Sequence, residues 1–277
     1  DYLLTGLPVV YITTSNPVES KDMYEKAVVS IKSSENYILE ESSAYIRGRG
    51  NATWTSPKKP YKIEFDERVE IFGFPADKEY ALLSNYTDKS LTRCAIGFRV
   101  AEILGMDWTP RNVYVEVVLN GKHLGNYQLV ESVKKSPTRV NIDDAGFILE
   151  YSHYDHAAFD IESKILSGFV WHFKYPKRPN AMTIEKVRKI IEPFEEACKL
   201  GRWLHVNSMI NEQTFVKWYY ARLLLNNLDT NYYVYCNSDG KLSLGPVWDF
   251  EWSIGTGIPL EERPMDPRTT SEFFCFN

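Results

Sequence analysis

The sequence predicts an α+β chain of two lobes, strand-rich over residues 1–133 and helix-rich over 134–277. In the first part β-branched and aromatic residues gather in short runs that alternate with polar ones. In the second, apolar residues recur at i, i+3, i+4 and i+7 over longer stretches, and no internal repeat relates the two halves.

PVVYIT (Pro8 to Thr13), AVVSI (Ala27 to Ile31) and YKIEF (Tyr61 to Phe65) read as strands, because branched and aromatic side chains suit a pleated surface. NVYVEVVL (Asn112 to Leu119) is another strand. Asn120-Gly121 supplies two residues that tolerate positive φ, as a type I′ turn requires, so LGNYQLV (Leu124 to Val130) returns antiparallel. A helix is predicted from about Lys89 to Leu104, with Asp88 as N-cap and Gly105 just past its end. Leu91, Ala95, Phe98 and Ala101 form its core face. The junction between lobes is placed around Lys134 to Ala145. Beyond it, Val187, Ile190, Ile191, Phe194 and Cys198 give a helix over Thr183 to Leu200, in which Pro193 predicts a kink or a break. Asn211 caps a second, largely apolar helix running to about Asn226. YYVYC (Tyr232 to Cys236), a turn at Ser238-Asp239-Gly240, and Leu242 to Leu244 form a second hairpin.

A formal charge of −5 and a pI near 5.7, with Lys and Arg spread along the chain, argue against nucleic acid as a partner. No apolar run approaches the ~18 residues of a membrane-spanning helix. Cys94, Cys198, Cys236 and Cys275 lack metal-site spacing. His153-Tyr-Asp-His156, with Asp160 nearby, reads as a solvated loop rather than a metal site, because no third ligand accompanies it. The apolar end at Phe273 to Phe276 suggests that further chain follows.

The stretch that points to chemistry is Asn226 to Gly255. Asp229 follows a buried helix and precedes the second hairpin, and Asp249 follows that hairpin. An antiparallel hairpin brings its two outer ends together, so both carboxylates can face one site from two short loops. Such a pair needs a shared proton or a cation. Mg²⁺ is commonly held by one or two carboxylates with phosphate oxygens and water, which is what a nucleotide site needs. Glu251 is a further candidate carboxylate. The order helix, Asp, hairpin, Asp-Phe is also that of a protein kinase's catalytic loop and metal-binding triplet. Either Asp alone reads more simply as a loop residue; the pair with this connectivity favours the site.

GPVWDFEW (Gly245 to Trp252) resembles the signature of the spore-coat protein H (CotH) kinase-like family. IRGRGNATW (Ile46 to Trp54) with PKKPYKIEF (Pro57 to Phe65), LLSNYTDKSLTR (Leu82 to Arg93) and GNYQLVE (Gly125 to Glu131) are similar to three more of its motifs, in the same order. The resemblance implies an atypical protein-kinase-like bilobal fold. It also implies, for active members, transfer of the ATP γ-phosphate to Ser or Thr of a protein with Mg²⁺. By carry-over Asp229 is the catalytic-loop residue and Asp249 the Mg²⁺ ligand, with Asn231 and Glu251 as further metal candidates. Lys62 and Lys59 are the candidates for phosphate contact, Lys62 being preferred because it lies within the strand. Arg47, with Gly48 and Gly50, is a candidate phosphate-facing turn or an ordinary bulge. Glu131 ends a strand where kinase folds place the nucleotide base, or is a solvated strand end. Glu251 stands where the family often has Asp, and Asn231 lies only two residues past Asp229. These departures keep a catalytically inactive nucleotide-binding or coat-type module open beside the kinase, and a metal-dependent phosphohydrolase as a third reading. An exported, extracytoplasmic location is implied by the resemblance alone.

Overall fold

The computed structural model describes residues 5–34, 36–153, 157–227 and 229–255. They form a mixed α+β chain of two compact units. One runs to Leu91 and resumes over Pro110–Ser132; the other takes Thr92–Thr109 and what is described from Val133 onward.

The first unit is a closed barrel of seven strands. β1 (Val9–Thr14), β2 (Glu25–Ser33), β3 (Asn36–Gly48), β4 (Tyr61–Ile71) and β5 (Phe74–Leu83) join in sequence order, followed by β7 (Lys122–Glu131) and β6 (Asn112–Leu119). The sheet closes through a parallel pairing of β1 with β6, Val9 standing opposite Glu116 and Ile12 opposite Leu119. Closure leaves no exposed edge, which removes the hazard of edge-to-edge association. Alternate residues fill the interior: Val29 and Ile31 from β2, Ile63 and Phe65 from β4, Val115 and Val117 from β6, Tyr127 and Leu129 from β7. The expected hairpin is present, with Asn120 and Gly121 at φ 50° and 75°. Strands β3 and β5 were not read from the sequence.

The second unit is helix-rich, with a five-stranded sheet that the sequence reading did not foresee beyond its last hairpin. After α1 (Arg93–Ile103) come β8 (Phe147–Ser152), β9 (Ile161–Glu162), β10 (Val170–Tyr175), α2 (Ala181–Lys199), α3 (Trp203–Met209), α4 (Glu212–Leu225), β11 (Tyr232–Cys236) and β12 (Leu242–Leu244). The sheet order is β12-β11-β8-β10-β9. Its aromatic face carries Tyr151, Trp171 and Tyr232; Tyr232 meets Trp218 of α4 edge-on at 5.5 Å, and the Trp171 indole N–H donates to the buried Glu195 of α2 at 3.0 Å. Among the described residues, no helix is long and apolar enough to cross a membrane.

Three local expectations are corrected. The first helix starts at Arg93 rather than Lys89, because Asp88 is engaged in a turn, accepting from the backbone N–H and hydroxyl of Ser90 at 2.9 and 2.7 Å. Leu91 therefore lies outside the helix, at φ 61°. Pro193 breaks nothing: α2 is continuous over 19 residues. Asn180 caps it, accepting from the Thr183 N–H at 2.8 Å. Cys94, Cys198 and Cys236 are buried free thiols. Cys275 and the apolar end lie outside the described residues.

Gly97, in mid-helix α1, sits under the Phe250 ring: a Cβ there would lie 2.2 Å from Cδ2 of that ring. Helix propensity alone makes Gly97→Ala stabilising by about 1 kcal/mol. Overpacking against a ring that Phe98 also contacts edge-on costs about 1–3 kcal/mol. The expected outcome is a net loss of up to about 2 kcal/mol in urea unfolding; a net gain would show that Phe250 yields freely.

Candidate functional site

Helix α4 ends at Asn226, whose left-handed conformation (φ 45°) turns the chain sharply out of the helix. The buried Asn227 then makes two bonds that set the site. Its Oδ1 accepts from the Asp229 N–H at 3.0 Å, and its Nδ2 donates to the Asp249 carbonyl at 2.9 Å. One amide thus ties together the two loops that bear the acidic residues. Arg222, buried in α4, adds a second tie by donating to the carbonyls of Asn227 and Asp229. The carbonyl of Leu225 accepts from the Ile254 N–H at 2.7 Å, closing the second loop against the helix end. Gly245 follows β12 and donates to the Tyr233 carbonyl at 2.9 Å, so the GPVWDF segment departs alongside β11.

Asp229 and Asp249 are both half-buried. Burial, and next the charge of Asp249, raise the Asp229 carboxyl from its ordinary 3.8 to about 7. Its Oδ1 accepts from the Asn231 N–H at 2.8 Å, an Asx turn that folds Asn231 back toward it. The Asn231 Oδ1 is buried and has no hydrogen-bond partner. Asp249 is held at φ 55°, and its Oδ1 accepts from the Glu251 N–H at 3.4 Å. The Glu251 side chain is buried.

Mg²⁺ would be well served here. A half-buried carboxylate pair that favours holding a proton, beside an unpaired amide oxygen, supplies the hard oxygen donors such an ion takes. Among the described residues no group of three or more His, Cys, Asp or Glu side chains is arranged around one point. An ion held by so few side chains would complete its shell with water and phosphate oxygens.

The remaining sequence-derived residues belong to the barrel unit. Lys62, on β4, is ion-paired with Glu79 of β5 and stands 3.7 Å from Glu64. Lys59 precedes the strand; it donates to the Trp54 carbonyl at 2.5 Å and lies over the Trp54 ring. The Arg47 guanidinium donates to the carbonyls of Lys21 and Gly48 and rests on Tyr24. Gly48 is required by packing, since a Cβ would overlap the Trp54 ring at 2.4 Å. Glu131 is not a solvated strand end: it is fully buried, accepting from the Arg111 N–H at 3.0 Å and guanidinium at 3.2 Å. His153 stands against Phe169, and Tyr154, Asp155 and His156 lie outside the described residues. Asp160 pairs with His172 instead. Sequence reasoning missed Asn227 and Glu79. A polar pair, Asn226-Asn227, ending an apolar helix was the available signal for the first. Glu79, in a strand not read from the sequence, had none.

The CotH kinase protein family matches residues 46–273, most of the chain, and the chain belongs to that family. No relative among curated proteins matches it.

The raised Asp229 has a consequence for stability. The folded chain keeps a proton that the unfolded chain releases above about pH 4, so this contribution is full below that pH and drains away as pH rises through about 7. Without divalent cations, Asp229→Asn is expected to be more stable than the parent at pH 8 and not at pH 4. The gain is on the order of 2 kcal/mol, about half the full effect because solvent screens a half-buried group. Thermal melts at the two pH values measure it; equal differences at both would remove the proposed proton.

Proposed function

We propose that the chain is an atypical protein kinase that transfers the ATP γ-phosphate to a Ser or Thr hydroxyl of a protein. In this reading Asp249 and the Asn231 side-chain oxygen hold Mg²⁺ with the phosphates, and Glu251 lies behind them. Bound there, the ion neutralises charge on the phosphate oxygens. Asp229 orients the acceptor hydroxyl and takes its proton as the oxygen bonds to the γ-phosphorus and the bond to the β-γ bridging oxygen breaks, releasing ADP. A carboxyl poised near 7 suits that task, since a base works best when its pKa lies near the working pH. Within the barrel unit, Lys62, ion-paired with Glu79, is the candidate lysine for phosphate, while Lys59 and Arg47 are occupied by backbone carbonyls. Glu131 anchors the end of β7 through Arg111. An extracytoplasmic location accords with the family.

The observation that supports this reading most is the tie from Asn227 to both acidic loops, which joins two like charges beside an unpaired oxygen. The test is calorimetric titration of ATP with Mg²⁺ into the parent chain and Asp249→Ala, then transfer of labelled γ-phosphate to protein. Metal-dependent binding is expected in the parent and absent in Asp249→Ala. Asp229→Asn is expected to bind while losing about 10²–10⁴-fold in transfer. Binding without transfer by the parent would indicate the inactive nucleotide-binding module. Released phosphate without labelled protein would indicate the phosphohydrolase. No binding by the folded parent overturns the nucleotide reading.

A further inference from the structure

A polar row crosses the sheet of the second unit. His172 of β10 and Tyr233 of β11 both stand in register with Glu150 of β8, one on each side of it. Cross-strand partners in register lie on the same face. Lys174 sits where β10 bulges against β8, between Phe173 and Tyr175, and donates to Glu150 Oε2 at 2.9 Å. His172 in turn meets Asp160 at 2.9 Å. The opposite face is the aromatic one packed on α2 and α4, so this row forms the other side of the sheet.

The row runs toward the acidic pair. Tyr233 lies four residues past Asp229, and its carbonyl accepts from Gly245, the start of the segment that ends in Asp249. Glu150 also stands near enough to Asp229 for its charge to bear on that carboxyl. An amine drawn over β8 by Glu150 sits about one strand spacing, ~5 Å, from β11.

Two cations of this unit, Arg222 next to Asp229 and Lys174 on Glu150, differ in what they have left to offer. Arg222 is buried and spends its donors on the carbonyls of Asn227 and Asp229. Lys174 has a side chain that is 32% exposed, and its carboxylate partner is 22% exposed. An ammonium group has three donors, and Glu150 takes one. Pairing with a carboxylate fixes the direction of a flexible lysine without using its capacity for an anion, as the Lys–Glu pair of a kinase does.

From this geometry we infer that Lys174 is a ligand-contacting residue of the same site, binding the phosphate chain of the nucleotide, with Glu150 as its positioning residue. The inference rests on the nucleotide reading and adds to it a cation that no sequence motif marks. It makes the second unit a source of positive charge for the phosphates in its own right.

Two measurements test it. In the first, Mg²⁺-ATP is titrated into the parent and into Lys174→Met, which keeps the aliphatic stem and removes the charge. The expected result is binding weakened about tenfold or more, the scale of one charge-assisted hydrogen bond, with the melting temperature nearly unchanged. In the second, the parent alone is acetylated with and without saturating Mg²⁺-ATP, and lysine labelling is read by mass spectrometry. Lys174 is expected to be protected while the exposed Lys189 of α2 is not; this arm holds even if the variant fails to fold. A parent that binds, with Lys174→Met binding equally or Lys174 labelled equally, overturns this inference and leaves the nucleotide reading standing. A folded parent that does not bind overturns both.

Discussion

Two carboxylates set close together in a half-buried position repel each other and lose hydration, and a folded chain adopts that arrangement only when something else enforces it. Here the enforcement comes from one side-chain amide and one guanidinium. Asn227 bridges the backbone of the two acidic loops, and Arg222 grips the carbonyls of Asn227 and Asp229 from within α4. Both form their hydrogen bonds with the backbone of the acidic loops. Asp249 adds local strain by sitting at φ 55°, a conformation that disfavours an L-residue by about 1–2 kcal/mol.

The scaffold beneath the pair is dense. Phe250, next to Asp249, is fully buried and presses on α1 at Gly97, where a side chain of any size would collide. The Asp249 loop is thereby fixed to a helix on one side and to the end of α4 on the other, through Ile254 and Leu225. The Asp229 loop is fixed by β11, whose Tyr232 belongs to the aromatic stack of the sheet. Each acidic residue is thus one or three residues from a fully packed aromatic side chain, which limits how far the two carboxylates can relax apart.

Much of this was legible in the sequence where the signal is local. The Asn120-Gly121 turn, the apolar periodicity of α2 and α4, and the hairpin between Asp229 and Asp249 each rest on residues close in the chain. What escaped was non-local. Closure of the barrel depends on β1 pairing with β6, about a hundred residues away, and no local pattern encodes it. Strand β8, FILEYS, is buried on nearly every residue, so it lacks the alternation that identifies a half-exposed strand. Asp88 has the look of a helix cap, yet its side chain is committed to Ser90. Glu131 has the look of a solvated strand end because Arg111, its partner, lies on the far side of a hairpin.

The short spacing between Asp229 and Asn231 shows how geometry substitutes for sequence distance. In ordinary protein kinases the metal-binding Asn lies several residues past the catalytic Asp, and the intervening chain carries it around to the ion. Here β11 begins at Tyr232, so there is no room for such a detour. The Asx turn supplies the reversal instead: Asp229 Oδ1 takes the Asn231 N–H, which folds the Asn back over the carboxylate in two residues. The side-chain oxygen it brings is buried without a partner, a state that costs about 1–3 kcal/mol when left unmet. The two-residue spacing thus places a buried side-chain oxygen and a carboxyl that favours its proton within one turn.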